Sequence, residues 1–317
     1  MADFSLFSLG ANDPLAENIA RHLKMSLGDI KIRTFADGEQ YVQFCENIRG
    51  KDVFLIQPTN PPAENLMRLF LALDAARGAS ARRVTVVIPY YGYARQDRKS
   101  KPREPIAART MAMIMESLGA DQILTMDLHN DAIGGFFRTT NVDYLYARPV
   151  VIAHLKKVFK KEIESDNLVV VSPDAGGVVR AQSYAKRLMP DAELAIIHKE
   201  RDIPNQVARM KLVGEVEGKT ALIVDDMFDT CGTLARAAEL LEEHGVKEVY
   251  ATAPHGIFSG SARETIDASK IKKLFIADTL STDREMSDKV EVISVAELFA
   301  DAIRRTSKGE SLSVLFE

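Results

Sequence analysis

Asp225 and Asp226 stand side by side at the end of the apolar run Leu222, Ile223, Val224, and Asp229, Thr230, Cys231, Gly232 and Thr233 follow within a few residues. A buried strand that delivers two carboxylates and then a small, hydroxylated turn to a helix start is suited to a phosphorylated sugar. The helix start offers unpaired N–H groups and the positive end of its dipole to a phosphate. Adjacent carboxylates accept hydrogen bonds from neighbouring sugar hydroxyls or hold Mg²⁺ through water. An ordinary capped turn between strand and helix accounts for one of these residues, not for the set.

Three further groups carry chemistry. Ser172-Pro173-Asp174-Ala175-Gly176-Gly177 follows the apolar stretch 168–171, and its glycines let backbone N–H groups approach an anion, with Asp174 as a direct or water-mediated Mg²⁺ ligand. Taken alone, it is also a common tight turn. Between Tyr93 and Arg103, five basic side chains fall within nine residues, behind Tyr90 and Tyr91. Such a run is a solvated loop or, with planar donors Arg95 and Gln96 beside aromatic rings, a nucleobase and polyphosphate site. His129, just after Asp127 and Leu128, falls at a strand end, where it can be a metal ligand or an acid–base group. Lys199 and Arg201 alternate after His198. In an extended chain they point the same way, two cations on one face, as phosphoryl transfer requires. A charged hairpin end is the bland alternative.

The elements that must position these groups alternate short β-branched runs with longer helical periods. Strands are expected at Phe4–Leu9, Ile30–Thr34, Val53–Gln57, Val84–Pro89, Ile123–Asp127, Leu168–Ser172, Leu194–His198, Ala221–Asp225, Glu248–Ala253 and Leu274–Ala277. Helices are expected over Pro14–Met25, Ala63–Gly78, Pro105–Leu118, Ala147–Phe159, Gly177–Arg187 and Leu234–His244. This alternation predicts an α/β fold with mainly parallel sheets covered on both faces. A weak repeat sets the domain count. Gly50-Lys51 and Gly218-Lys219 precede corresponding strands, as do the approaches to Pro89 and Pro254, at offsets of 168 and 165 residues. Two copies of one α/β unit, divided near residues 146–149, follow from that. The first copy has Gln57-Pro58-Thr59-Asn60 where the second has its double acid, so only the second is expected to hold the sugar phosphate.

Composition is permissive. The chain has 317 residues, 46% of them apolar and 27% charged, enough for real cores. A net charge of −4 points to no nucleic-acid partner. Two cysteines give no disulfide framework and fit a reducing cytoplasm. No signal peptide or membrane span is expected.

Together the segments resemble the ribose-phosphate diphosphokinases, or phosphoribosyl diphosphate (PRPP) synthases, over almost the whole chain. The segments that carry the likeness are 35–39, 93–97, 126–129, 172–177, 198–201, 224–233, 255–260 and 302–306. The resemblance implies two tandem phosphoribosyltransferase-like (type I) domains. The first spans 1–147 and carries the ATP side and the oligomer contacts, rejoined by the tail 305–317; the second, 148–304, holds ribose 5-phosphate. It implies transfer of the β,γ-diphosphoryl group of MgATP to O1 of ribose 5-phosphate, giving PRPP and AMP, in a cytoplasmic homo-oligomer, a hexamer built from dimers. By the same likeness Arg95 and Gln96 bind ATP. Phe35, Asp37, Gly38 and Glu39 reach an adenine site from a neighbouring subunit. His129 and Asp174 hold Mg²⁺, and Asp174, Ala175, Gly176 and Gly177 form the diphosphate loop. Asp225 and Asp226 take the ribose diol, and Asp229, Thr230, Cys231, Gly232 and Thr233 the 5-phosphate. Lys199 and Arg201 are the catalytic pair, Arg201 also contacting ribose 5-phosphate.

Departures fall on regulation. Arg49, Ser80, Arg103, Ser311 and Phe316 match a phosphate-activated class, yet Asp131 and Gly134 replace a common Ser and Gln, and the stretch 138–143 is one residue longer. A PRPP-consuming phosphoribosyltransferase, or a non-catalytic subunit associated with the synthase, are the competing readings. The first has no use for the Arg95–Gln96 segment or the Lys199/Arg201 pair. The second is expected to lose catalytic positions.

Overall fold

A computed structural model describes residues 4–190, 194–200, 209–282 and 286–315. The first half runs β1 (Phe4–Ser8), α1 (Asp13–Leu23), β2 (Ile30–Thr34), β3 (Gln40–Phe44), β4 (Asp52–Ile56), α2 (Glu64–Gly78), β5 (Arg83–Ile88), α3 (Ala107–Ser117), β6 (Gln122–Met126) and β7 (Asn141–Leu145). The second runs α4 (Arg148–Val158), α5 (Lys160–Glu164), β8 (Leu168–Ser172), α6 (Val178–Leu188), β9 (Leu194–Glu200), β10 (Arg209–Val213), β11 (Thr220–Val224), β12 (Met227–Phe228), α7 (Gly232–Glu243), β13 (Glu248–Gly256), α8 (Ala262–Ala268), β14 (Ile271–Ala277) and β15 (Val290–Ile293). A last helix, α9 (Ala296–Lys308), follows.

The chain divides into two units. One comprises the chain through Tyr146, Thr279–Ser281 and the stretch from Ser294 onward; the other comprises Ala147–Asp278 and Thr282–Ile293. Beyond the short segment Thr279–Ser281, the chain rejoins the first unit from Ser294, ahead of the tail at 305 that the resemblance implies. The reason is that α9 as a whole packs along α1, burying Phe299, Ala300 and Ile303.

Each unit is built on a sheet whose central strands are mainly apolar because both faces are covered. β4, β8 and β11 are buried at every position. The first sheet has the order β1-β4-β5-β6-β7, all parallel. The second has the order β10-β9-β8-β11-β13-β14-β15, with only β10 antiparallel, and β12 added beside β13. The antiparallel pair β2–β3 forms a separate hairpin. The repeat is therefore a repeat of topology: β4 and β11 hold the same place in their sheets, as do β5 and β13. Helices pack by their apolar stripe; α7 buries Leu234, Ala237, Ala238 and Leu241 at helical spacing.

One difference between the sheets matters. In the second, the chain leaves β8 toward β9 on one side and leaves β11 toward β13 on the other. Since β8 and β11 are neighbours, their C-terminal ends flank a reversal of strand order, the place where open α/β sheets form a ligand crevice. In the first sheet β1 is an edge and the chain moves in one direction only. Among the described residues, no helix is long and apolar enough to cross a membrane.

Candidate active site

β11 fixes the two acids. Its register carries one residue past the strand through Asp225 N–H, which donates to Thr252 O at 3.0 Å. Asp226 N–H in turn donates to Asp225 Oδ1 at 2.8 Å. Burial, and then the charge of Asp226, push the Asp225 carboxyl up to about 8, against the pull of the Arg180 guanidinium. Asp226 is itself buried. Such a pair is poised to accept hydrogen bonds from two adjacent hydroxyls, which relieve the repulsion that keeps a proton on it.

The loop beyond is propped from β13. The N–H groups of Ile257 and Phe258 both donate to Phe228 O, at 2.7 and 3.0 Å, and the Ser259 hydroxyl donates to Asp229 Oδ1. Cys231 adopts a left-handed conformation (φ 61°), which turns the chain sharply into α7. No side chain caps that helix; its first bond runs from Ala235 N–H to Cys231 O at 2.9 Å. The N–H groups ahead of it are those an anion can use. The Cys231 thiol is buried against Asp229 O (3.7 Å) and is pushed up to about 12 by burial, then by the charge of Asp229.

The second loop lies at the end of β8, next in the sheet. Ser172 Oγ–H donates to Asp174 O (2.7 Å), and Gly177 N–H donates to Asp174 Oδ1 (2.8 Å), so Asp174 closes its own turn while remaining exposed. A Cβ on Gly177 would lie 2.9 Å from Ser172 Oγ, which is why the turn requires glycine there. Asp174–Gly177 and Asp225–Thr233 thus flank the same crevice. Arg180, from the first turn of α6, reaches across it to within 3.9 Å of both Asp225 Oδ1 and Asp226 Oδ1.

The first unit carries its own cluster at the ends of β5 and β6. Arg95 and Gln96 are exposed. Gln96 N–H donates to Tyr93 O (2.9 Å), and Ala108 N–H donates to Gln96 O (3.3 Å), tying the basic loop to the start of α3. Asn130 Nδ2–H donates to Asp97 Oδ2 at 2.8 Å, so the loop is fastened to the residue next to His129, which is exposed. Gly92 makes this possible: a Cβ there would lie 1.9 Å from Thr59 O. By register Gln57 stands in the place of Asp225, its N–H donating to Val87 O (2.9 Å) as Asp225 N–H does to Thr252 O; Thr59, two residues on, is a buried brace whose Oγ1 accepts from Gly92 N–H (2.7 Å). The expectation of several aromatic faces here needs correction. Tyr90 and Tyr91 are core residues, Tyr91 donating to Ala108 O (3.1 Å), and Tyr93 alone of the three is exposed.

Phe35, Asp37, Gly38 and Glu39 occupy the exposed tip of the β2–β3 hairpin. The turn is closed by Phe35 N–H to Glu39 O (2.8 Å) and by Glu39 N–H to Asp37 Oδ1 (3.1 Å). The Phe35 ring is held by Arg33, whose guanidinium lies 4.8 Å from it and 4.5 Å from the Tyr41 ring. Lys199 belongs to β9, opposite Met210. Arg201 and Phe316 lie outside the described residues. Sequence reasoning missed Arg180, Asn130 and Thr59. Arg180 had one signal, an arginine three residues past Gly177.

Two α/β units in tandem, each on a mainly parallel sheet, the second with paired acids, an uncapped helix start and a glycine turn at a switch point, define the type I phosphoribosyltransferase-like class. Within it the relationship is specific. Residues 4–119 match the family described as the N-terminal domain of ribose phosphate pyrophosphokinase, and residues 200–317 match the phosphoribosyl synthetase-associated domain. Ribose-phosphate pyrophosphokinase of Chlorobaculum tepidum is 47% identical, covering 97% of this chain and 93% of its own length. That of Vibrio parahaemolyticus is 46% identical over the full length of both. The crystal structure of phosphoribosylpyrophosphate synthetase from Mycobacterium smegmatis is 36% identical and superposes with a TM-score of 0.90, covering 97% and 99% of the two chains. The chain belongs to the ribose-phosphate pyrophosphokinase family.

Proposed function

We propose that this chain transfers the β,γ-diphosphoryl group of MgATP to O1 of ribose 5-phosphate, releasing PRPP and AMP. The observation that carries the reading is the pairing of Asp225–Thr233 with Asp174–Gly177 across one switch-point crevice. Asp225 and Asp226 orient the ribose through its hydroxyls. The turn 229–233 and the start of α7 take its 5-phosphate, leaving O1 to be directed by fixed contacts at two ends of the sugar. The loop 174–177 cradles the diphosphoryl group. Arg95 and Gln96 hold the nucleotide, and the hairpin tip with Phe35, Asp37, Gly38 and Glu39 serves the adenine of a neighbouring copy in a cytoplasmic homo-oligomer, a hexamer of dimers. Lys199 and Arg201 meet the charge that spreads over the group in transit.

The donor set suits Mg²⁺ that arrives with ATP. Among the described residues no three His, Cys, Asp or Glu side chains form a metal cage. Mg²⁺ does not need one, since it keeps waters and binds through one or two protein ligands plus substrate phosphates. Exposed Asp174 and His129 fit that partial role. When bound, the ion supplies charge neutralisation at the phosphate oxygens. The test is to incubate the chain with MgATP and ribose 5-phosphate and separate the products. AMP and PRPP are expected in equal amounts, with none formed when ribose 5-phosphate is omitted or EDTA is added. Release of ADP instead of AMP would refute attack at the β-phosphorus.

A further inference from the structure

Arg180 lines the crevice, has no place in the roles given above, and has an unusual geometry. Its side chain is only 26% exposed, yet its Nη1 sits 3.9 Å from each of two carboxylate oxygens, Asp225 Oδ1 and Asp226 Oδ1. That is ion-pair range and beyond hydrogen-bond range. The guanidinium therefore spreads its charge over both acids without using up either oxygen as an acceptor. The distance also separates it from a stabilising surface pair, in which an arginine fork normally engages a carboxylate at close range.

The position follows from the fold. α6 starts immediately after Gly177 and packs against β8 and β11. Side chains on a helix lean toward its N-terminus, so the third residue of α6 is directed back over the strand ends, where the acids emerge. One side chain thereby connects the glycine turn after β8 with the carboxylates after β11. The backbone holds the acids from the other side, with Asp225 N–H bound to Thr252 O. Two adjacent carboxylates repel each other, and a cation within 3.9 Å of both offsets part of that repulsion and favours their side-by-side placement.

We propose that Arg180 is a positioning residue for the ribose end of the reaction: it holds Asp225 and Asp226 as a paired acceptor for the two neighbouring hydroxyls of the sugar. This rests on the reading of the crevice as a ribose 5-phosphate site. The test compares Arg180→Met, which keeps the aliphatic stem, with Arg180→Lys, which keeps the charge, by steady-state kinetics and by calorimetric titration of ribose 5-phosphate without nucleotide. Removing the cation leaves the buried Asp226 and the partly exposed Asp225 to repel each other unopposed, so Arg180→Met is expected to raise both KM and Kd for ribose 5-phosphate by roughly tenfold or more. The KM for ATP stays at the wild-type value, kcat falls by less than about threefold, and Arg180→Lys recovers most of the lost affinity. Unchanged ribose 5-phosphate affinity in Arg180→Met overturns the proposal. So does a Lys variant no better than Met, or a rise in both KM values together with a lower melting temperature, which marks a purely structural role. If the wild type binds ribose 5-phosphate but forms no AMP, the synthase reading fails while Arg180 is still judged by the titration. If the wild type binds none, both fall.

Discussion

Lys199 lies one residue before the end of β9, opposite Met210, so its backbone is fixed by sheet pairing at the mouth of the second unit's strands. A cation placed there is worth most when the diphosphoryl group is loosest, so Lys199→Ala should lower kcat by on the order of 10²–10³ with little change in KM for ribose 5-phosphate. An effect confined to KM would make Lys199 a binding residue only. Cys231 shows a different kind of residue-scale control. Its thiol, raised to about 12, is thiolate in roughly one molecule in 10⁴ at pH 8. Iodoacetamide at that pH should therefore modify exposed Cys45 and spare Cys231, as read by peptide mass. Equal labelling would show that the loop opens. The acids, the turn 229–233 and the glycine turn stood out as residues because each is a run of unusual types. Arg180 was not, since what makes it informative is distance to two carboxylates on another element. The tyrosines misled because residue type does not reveal which way a ring faces.

At the scale of elements, strands with a continuous apolar run were legible, the buried edge strand β1 included, and most strands without one were not. β3, β7, β10, β15 and the two-residue β12 went unread; the first four are in the hairpin or at the border of a sheet, where half-exposed positions break the apolar run, and β12 is too short to show one. The loop before β7 shows how such an edge is held. Glu116 Oε1, on α3, accepts from the N–H groups of Arg138 (2.9 Å), Thr139 (2.6 Å) and Thr140 (2.9 Å) and from the Thr139 hydroxyl (2.9 Å). This is the stretch with the extra residue, and one carboxylate gathers its backbone. Slight burial opposes ionisation, but those donors hold the Glu116 carboxyl down at about 2, against an ordinary 4.5. A depressed folded-state value means the stabilisation is complete above the ordinary value and is lost as pH falls toward the folded one. Glu116→Gln should cost about 1–2 kcal/mol at pH 7 after solvent screening. The gap in melting temperature between wild type and variant should then close between pH 4.5 and about 2. A gap that stays constant over that range would mean that the carboxylate charge plays no part.

For the whole molecule, duplication explains both what the sequence repeat revealed and what it concealed. The offsets of matched strands survive in the two sheets, but only the second sheet has strands on both sides of its first βα turn, so only it has a switch point to fill with acids. In the first unit Gln57 stands in the place of Asp225, and its amide Nε2–H donates to Asn65 O at 2.9 Å, a structural bond within the fold. The same logic of a filled site bears on regulation. In the phosphate-activated class that Arg49 and Ser80 resemble, a bound anion sits between subunits. Here the Arg49 guanidinium already donates to Ser80 Oγ at 3.1 Å. Gly134 lacks the amide of the common Gln, and the space cannot take one, because a Cβ at Gly134 would lie 1.6 Å from the Tyr144 hydroxyl. That hydroxyl donates to Asp131 O (3.0 Å), and Tyr146 OH donates to Asp131 Oδ2 (3.2 Å), which fixes the carboxylate in place. One repelling charge and one lost donor weaken an anion site by about 2–4 kcal/mol, a factor of roughly 30 to 1,000. Full activity is therefore expected without added phosphate, and little response to it. The check is a phosphate titration at saturating MgATP and ribose 5-phosphate, in buffer free of phosphate and sulfate, with Asp131→Ser run alongside. Strong activation of the wild type at low millimolar phosphate would sink the idea. A flat wild-type curve, with partial activation appearing in Asp131→Ser, would assign the insensitivity to the carboxylate that Tyr146 holds, with Tyr144 limiting how much of the response returns.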